Sequence, residues 1–113
     1  MRIIQRQRDG VTVLDCSGKL SVDDGDKKLR ETVEALIEGG ETAIILNLRG
    51  VVSVDSSGLG EMVATKTSAA ARGTTIKLLH LEDKVRQVVA MTHLVGVFET
   101  FDDESAAIES FRT

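Results

Sequence analysis

The chain has 113 residues, enough for one domain with one core and too few for two. Its 42% hydrophobic and 28% charged content suit an ordinary globule, and a net charge of −4 gives no general attraction to nucleic acid or anionic lipid. One cysteine, Cys16, cannot build a disulfide framework, and with no Trp, no Tyr and three Phe the chain lacks aromatic platforms for single-stranded bases. The first residues, Met1-Arg2-Ile3-Ile4-Gln5-Arg6, contain no apolar signal core, and no stretch approaches the about 20 apolar residues of a membrane span. The expectation is a single cytoplasmic domain over residues 1–113, with no nucleic-acid partner and no direct membrane binding.

In chain order, Ile3-Ile4 and Val11-Thr12-Val13-Leu14-Asp15-Cys16 flank the turn dipeptide Asp9-Gly10, which predicts an opening β-hairpin. After Gly18, the residues Ser21, Asp23 and Asp24 are N-cap choices for a helix with Leu29, Val33, Leu36 and Ile37 on one face, ended by Gly39-Gly40. The run Ala43-Ile44-Ile45-Leu46-Asn47-Leu48 is apolar almost without alternation, as a central strand covered on both faces would be. Arg49-Gly50 reads as a turn, and Val51-Val52 leads to Asp55-Ser56-Ser57-Gly58-Leu59-Gly60. A second helix follows over 59–72, with Leu59, Met62, Val63, Ala69 and Ala70 on one face and Gly73 as its stop. Residues 75–79 form a strand, 82–91 a helix with Val85, Val88 and Val89 inward, 97–101 a short strand, and Asp102-Asp103 starts a last helix carrying Ala107, Ile108 and Phe111. The order ββαβαβαβα implies an α/β fold with right-handed crossovers and a mostly parallel sheet whose first strand is antiparallel.

The 55–60 segment is the candidate functional site. Two hydroxyls stand where a strand hands over to a helix N-terminus, whose unpaired N–H groups and dipole favour a phosphoryl group. By local chemistry alone, Ser-Ser-Gly at a helix start more often serves as a cap and tight turn. Asp55 is either the N-cap or the group that orients the Ser56 hydroxyl. Gly58 and Gly60 either let the helix start pack on a strand or let a partner approach the backbone.

Ile44-Ile45-Leu46-Asn47-Leu48, then Val54-Asp55-Ser56-Ser57-Gly58-Leu59-Gly60, then Gly73 ahead of a strand closely resemble the STAS domains of bacterial anti-sigma factor antagonists, over nearly the whole chain. The resemblance implies phosphorylation of Ser56 by an anti-sigma factor that is also a serine kinase, with a metal-dependent serine phosphatase reversing it. It also implies that the unphosphorylated form binds the kinase and frees a sigma factor or another effector, whereas the phosphorylated form cannot; the chain is expected to be no enzyme and to carry no cofactor. Partner contacts are then expected at Asp55, Ser56, Ser57, Gly58, Leu59 and Gly60, together with Lys19, Ser21 and Asp23. Gly18-Lys19-Leu20-Ser21 departs from the Gly-Glu-Leu-Asp of many such proteins, which bears on partner choice.

Other chemistry is sparse. His80 and His93 have no carboxylate or cysteine at ligand spacing, and Cys16 reads as a small core residue. Asp-Ser-Ser-Gly lacks the glycine that precedes the serine in a hydrolase elbow, and Gly-Leu-Gly lacks the Gly-Lys-Ser/Thr of a phosphate loop. Two further classes remain alternatives: a structural STAS module in a scaffold or lipid-transport complex, and a nucleotide-binding or catalytic α/β domain. The leading expectation requires an exposed Ser56 at the carboxyl end of a buried central strand.

Overall fold

The structure, a computed structural model, describes residues 1–21, 25–91 and 98–112. Asp9 and Gly10 both take positive φ, 51° and 82°, and so reverse the chain between β1 (Arg2–Arg8) and β2 (Val11–Leu20), which pair antiparallel. The hairpin expected from Asp9-Gly10 is present. Next come α1 (Asp26–Glu38), β3 (Ala43–Val54), α2 (Ser56–Ala71), β4 (Thr75–Leu79), α3 (Asp83–Met91), β5 (Thr100–Phe101) and α4 (Glu104–Glu109), followed by a 3-10 turn at Ser110–Arg112.

The strands lie side by side in chain order, β1-β2-β3-β4-β5, and every pair after the first is parallel. Right-handed crossovers that all step the same way put their three helices on one face of the sheet. The packing agrees: Leu29 and Val33 of α1, Leu59 and Met62 of α2, and Val85 and Val89 of α3 share one core with Leu14, Leu46 and Leu78. On the other face α4 and the turn after it close the sheet among the described residues, Ala107, Ile108 and Phe111 packing with Val11, Val13, Ile45 and Leu79. Ile44, Ile45 and Leu46 are therefore buried whichever face they point to, as the apolar run requires.

Several boundaries differ from the sequence reading. Arg49-Gly50 does not turn the chain, because β3 continues to Val54 along β2. Gly50 lies opposite Ser17, and a Cβ there would meet the Ser17 Cβ at 2.7 Å, so the glycine allows close strand approach. Leu48, Val51 and Val54 point inward with exposed pairs 49–50 and 52–53 between them, a spacing produced by two irregularities in the β2–β3 register. β2 likewise runs past Cys16 to Leu20. Consequently α1 is not capped by Ser21, which forms an isolated bridge with Gly25; the N-cap is Gly25 itself, at φ 96° and without a side-chain cap. Asp23 and Asp24 lie outside the described residues, as do His93 and Val97. β5 is only two residues long, and Phe98, ahead of it, is buried in the core rather than paired.

Gly39-Gly40 ends α1 as expected, Gly40 at φ 90° with its N–H donating to Ile37 O. Gly73, at φ 85°, does the same after α2. Ala70, expected on the inner face of α2, is exposed, while Leu59, Met62 and Ala69 are buried.

Candidate functional site

β3 delivers the candidate site. Val54 is buried at its last position, Asp55 leaves the strand in extended conformation at φ −93°, and α2 begins at Ser56, earlier than the expected residue 59. Asp55 is the N-cap: its Oδ1 accepts from Gly58 N at 2.7 Å, while its carbonyl accepts from Leu59 N at 2.9 Å. That settles the choice between capping and orienting in favour of capping.

Ser56 and Ser57 occupy the first two helical positions, where backbone N–H groups have no partner within the helix. Both side chains are exposed, and neither hydroxyl has a hydrogen bond among the described residues. A hydroxyl so placed is open to an enzyme approaching from solvent. A phosphate on it would find two free N–H groups and the positive end of α2, but would also stand beside the Asp55 carboxylate.

The two glycines divide the roles left open by the sequence. A Cβ on Gly58 would lie 2.1 Å from Leu20 O and 2.7 Å from Leu20 C, so only glycine lets the first turn of α2 rest on the end of β2. Asp55 N donates to the same Leu20 O at 3.2 Å. Gly60 is exposed, and a Cβ there would meet nothing within 4 Å. The fold itself gives no steric reason for glycine at 60.

The Leu20 junction also brings the expected partner segments together. Lys19 is exposed and sits opposite Ser53, Leu20 sits opposite Val54, and Ser21 is half-buried beside them. Around this junction Lys19, Asp55, Ser56, Ser57 and Gly60 are exposed and Ser21 half-buried, while Leu59 is buried and Gly58 forms the seam with Leu20.

Elsewhere the titratable groups hold the structure together. Arg6 donates to Asp15 at 2.7 Å and also pairs with Glu104, and Arg8 pairs with Glu104 at 2.7 Å. The two guanidinium groups pull the Glu104 carboxyl down to about 2, against the opposing effect of burial, and Arg6 likewise lowers Asp15. Cys16 is 3% exposed and its thiol is pushed up to about 12 by burial, as an inert core residue should be. His80 is half-buried at φ 55° between β4 and α3. No group of three or more potential metal ligands occurs among the described residues, and no helix there is long and apolar enough to cross a membrane.

Sequence reasoning missed Lys77, a buried cation at 7% exposure whose Nζ donates to Ser110 Oγ at 2.8 Å, pairs with Glu99 at 3.0 Å and faces the Phe111 ring at 4.4 Å. It pins the C-terminal turn to the sheet and plays no part in the site.

A strand-ordered parallel sheet with three helices on one face, and a capped serine pair at the end of its longest strand, is the architecture of a STAS domain. Residues 2–107 match the STAS domain family, and the chain belongs to it. A relative from Thermotoga maritima, described as a candidate anti-sigma factor antagonist, is 27% identical over 104 residues, 92% of each chain. A crystal structure of a candidate anti-sigma factor antagonist from the same organism is 26% identical, with a TM-score of 0.89 over 98% of this chain and 95% of that one. SpoIIAA, an anti-sigma factor antagonist, has the same fold in its unphosphorylated form at TM-score 0.80 and 24% identity, covering 98% and 96% of the two chains. The phosphorylated form, from Bacillus, gives 0.73 at 22% identity, covering 97% and 99%.

Proposed function

We propose that this chain is an anti-sigma factor antagonist whose binding is switched off by phosphorylation of Ser56. Unphosphorylated, it binds an anti-sigma factor that is also a serine kinase, and so releases the sigma factor. The kinase then phosphorylates Ser56, the complex separates, and a serine phosphatase resets the protein. The observation that carries this reading is the Ser56 hydroxyl, exposed at the head of α2 and without a hydrogen bond among the described residues, next to an exposed Asp55. Relatives described as anti-sigma factor antagonists, and a fold shared with a protein known in both phosphorylated and unphosphorylated forms, support it.

The switch works by charge at the contact rather than by refolding. A phosphoserine adds about −1.5 to −2 charges beside Asp55, and both would have to lose water against a partner. At an effective dielectric near 20, like charges about 5 Å apart cost on the order of 3 kcal/mol, roughly a hundredfold in affinity. In the free domain water screens the phosphate and the N–H groups of Ser56 and Ser57 can solvate it, so the fold survives. Gly60 fits the same picture: a helical glycine costs about 1 kcal/mol against alanine, and a partner lying close on the backbone gives it a purpose.

Incubation with the cognate kinase and labelled ATP should place one phosphate per chain on Ser56 and none on Ser56→Ala. A structural STAS module would take no label, and a nucleotide-binding domain would retain ATP without covalent transfer.

A further inference from the structure

The outer face of the sheet is only half closed. α4 covers the end built from Val11, Val13 and Ile45 and holds Arg6 and Arg8 of β1 through Glu104, whereas the end built from residues 2–4 of β1, the second half of β2 and residues 49–53 of β3 has no helix over it among the described residues. Two exposed large apolar residues, Ile4 at 48% and Val52 at 60%, lie here.

Charge marks the same area. Arg6, Arg8, Arg30, Arg72, Arg86 and Arg112 are all held in ion pairs. Arg2, Lys19 and Arg49 are exposed and in none among the described residues; Lys28, Lys66 and Lys84 are in none either, but they stand apart, one on each of α1, α2 and α3. The register places them together: Arg2 is opposite Ser17, Ser17 is opposite Gly50 beside Arg49, and Lys19 is opposite Ser53. Two strand spacings separate Arg2 from Gly50, roughly 10 Å. The nearest carboxylate in the register, Asp15, is committed to Arg6 and to Asn47 Nδ2 at 2.8 Å.

We propose that this open half of the sheet is a docking surface for an acidic, extended segment of a partner protein, its carboxylates meeting Arg2, Arg49 and Lys19 and an aliphatic side chain resting on Ile4 or Val52. Size and charge select that occupant. A three-strand patch is well below the roughly 800 Å² per partner of a standard interface between globular surfaces, but it suits a short strand or tail. Three cations fall short of the about 4–8 that mark an anionic-lipid surface, and the net charge of −4 opposes membrane approach. The surface is continuous with the Ser56 region through Lys19, yet it does not depend on phosphorylation.

The test is NMR titration of the 15N-labelled full chain with a peptide of about six residues alternating glutamate and valine. Shifts should centre on the amides of Arg2, Ile4, Ser17, Arg49 and Val52, and Ser56→Ala should bind equally well, which separates this surface from the switch. The double variant Arg2→Glu/Arg49→Glu, its fold checked by the same spectrum, should bind about tenfold more weakly, and Lys84→Glu on α3 should not. Shifts elsewhere, equal binding of a lysine–valine peptide, or unchanged affinity of the double variant would overturn the proposal. So would binding to vesicles rich in phosphatidylserine without binding to the peptide.

Discussion

Around α4, charged groups are spent on internal bonds: Glu104 joins Arg6 to Arg8, Asp15 takes the other side of Arg6, and Lys77 is enclosed by Ser110, Glu99 and Phe111. At the head of α2 the Asp55 carboxylate caps a single backbone N–H, and Ser56, Ser57 and Gly60 are left facing solvent. Rigidity at this first turn comes instead from backbone contact, Gly58 against Leu20, while the ion pairs of α2, Glu61 with Arg30 and Arg72 with Glu34, lie further along the helix. The difference teaches that this chain fixes its structural end with ion pairs and its candidate switch with shape, which leaves the switch surface free to respond to one added charge.

The sharpest way to break that contrast is Gly58→Ala. Its methyl would meet a backbone oxygen at 2.1 Å, which no side-chain rotation relieves, so the loss should reach about 3 kcal/mol, the upper end for overpacking. Urea unfolding measures it, and a change below about 0.5 kcal/mol would mean that the seam is not close-packed.

Next in size is Glu104→Gln at the other end. Its carboxyl is lowered from 4.5 to about 2 by Arg6 and Arg8, so its contribution is fully present above pH 4.5 and is lost as pH falls through about 2. Because both arginines are more than a third exposed, solvent screening limits the effect to about 1–2 kcal/mol. Between pH 5 and 2 the wild type should lose that stability and the glutamine variant should not; parallel acid curves would remove Glu104 from the account.

Smaller again is Gly60→Ala, which should leave stability unchanged or raise it by up to about 1 kcal/mol while weakening partner binding. Lys19→Glu should likewise change affinity for the partner with stability within about ±0.5 kcal/mol. Normal binding by both variants would place the partner elsewhere.

The sequence made the element order legible because each helix and strand announces itself locally: Asp9-Gly10 as a turn, residues 43–48 as a doubly buried strand, Gly39-Gly40 and Gly73 as stops. The junctions were less legible where distant residues decide them. Gly50 looks like a turn residue until Ser17 is seen across from it, and Ser21 looks like a cap until β2 is found to reach Leu20. Strand order was hidden too, since alternation of strands and helices allows several orders. At the site, Asp55-Ser56 was visible as a motif, whereas the separate roles of Gly58 and Gly60 appear only once Leu20 is known to lie under one and open space beside the other. The Arg6–Glu104 cluster and Lys77 depend on partners far away in sequence, so no local pattern carried them.

The central claim is that charge on Ser56, and not a change of fold, separates the chain from its partner. The direct measurement takes the kinase-treated protein, maps its phosphate by mass spectrometry, and measures kinase affinity and the 15N spectrum of the same sample. The account predicts phosphate on Ser56, a spectrum changed only near residues 55–60, and affinity reduced about a hundredfold. Phosphate on Ser57 alone, or a Ser56-phosphorylated protein that binds as tightly as before, would contradict it.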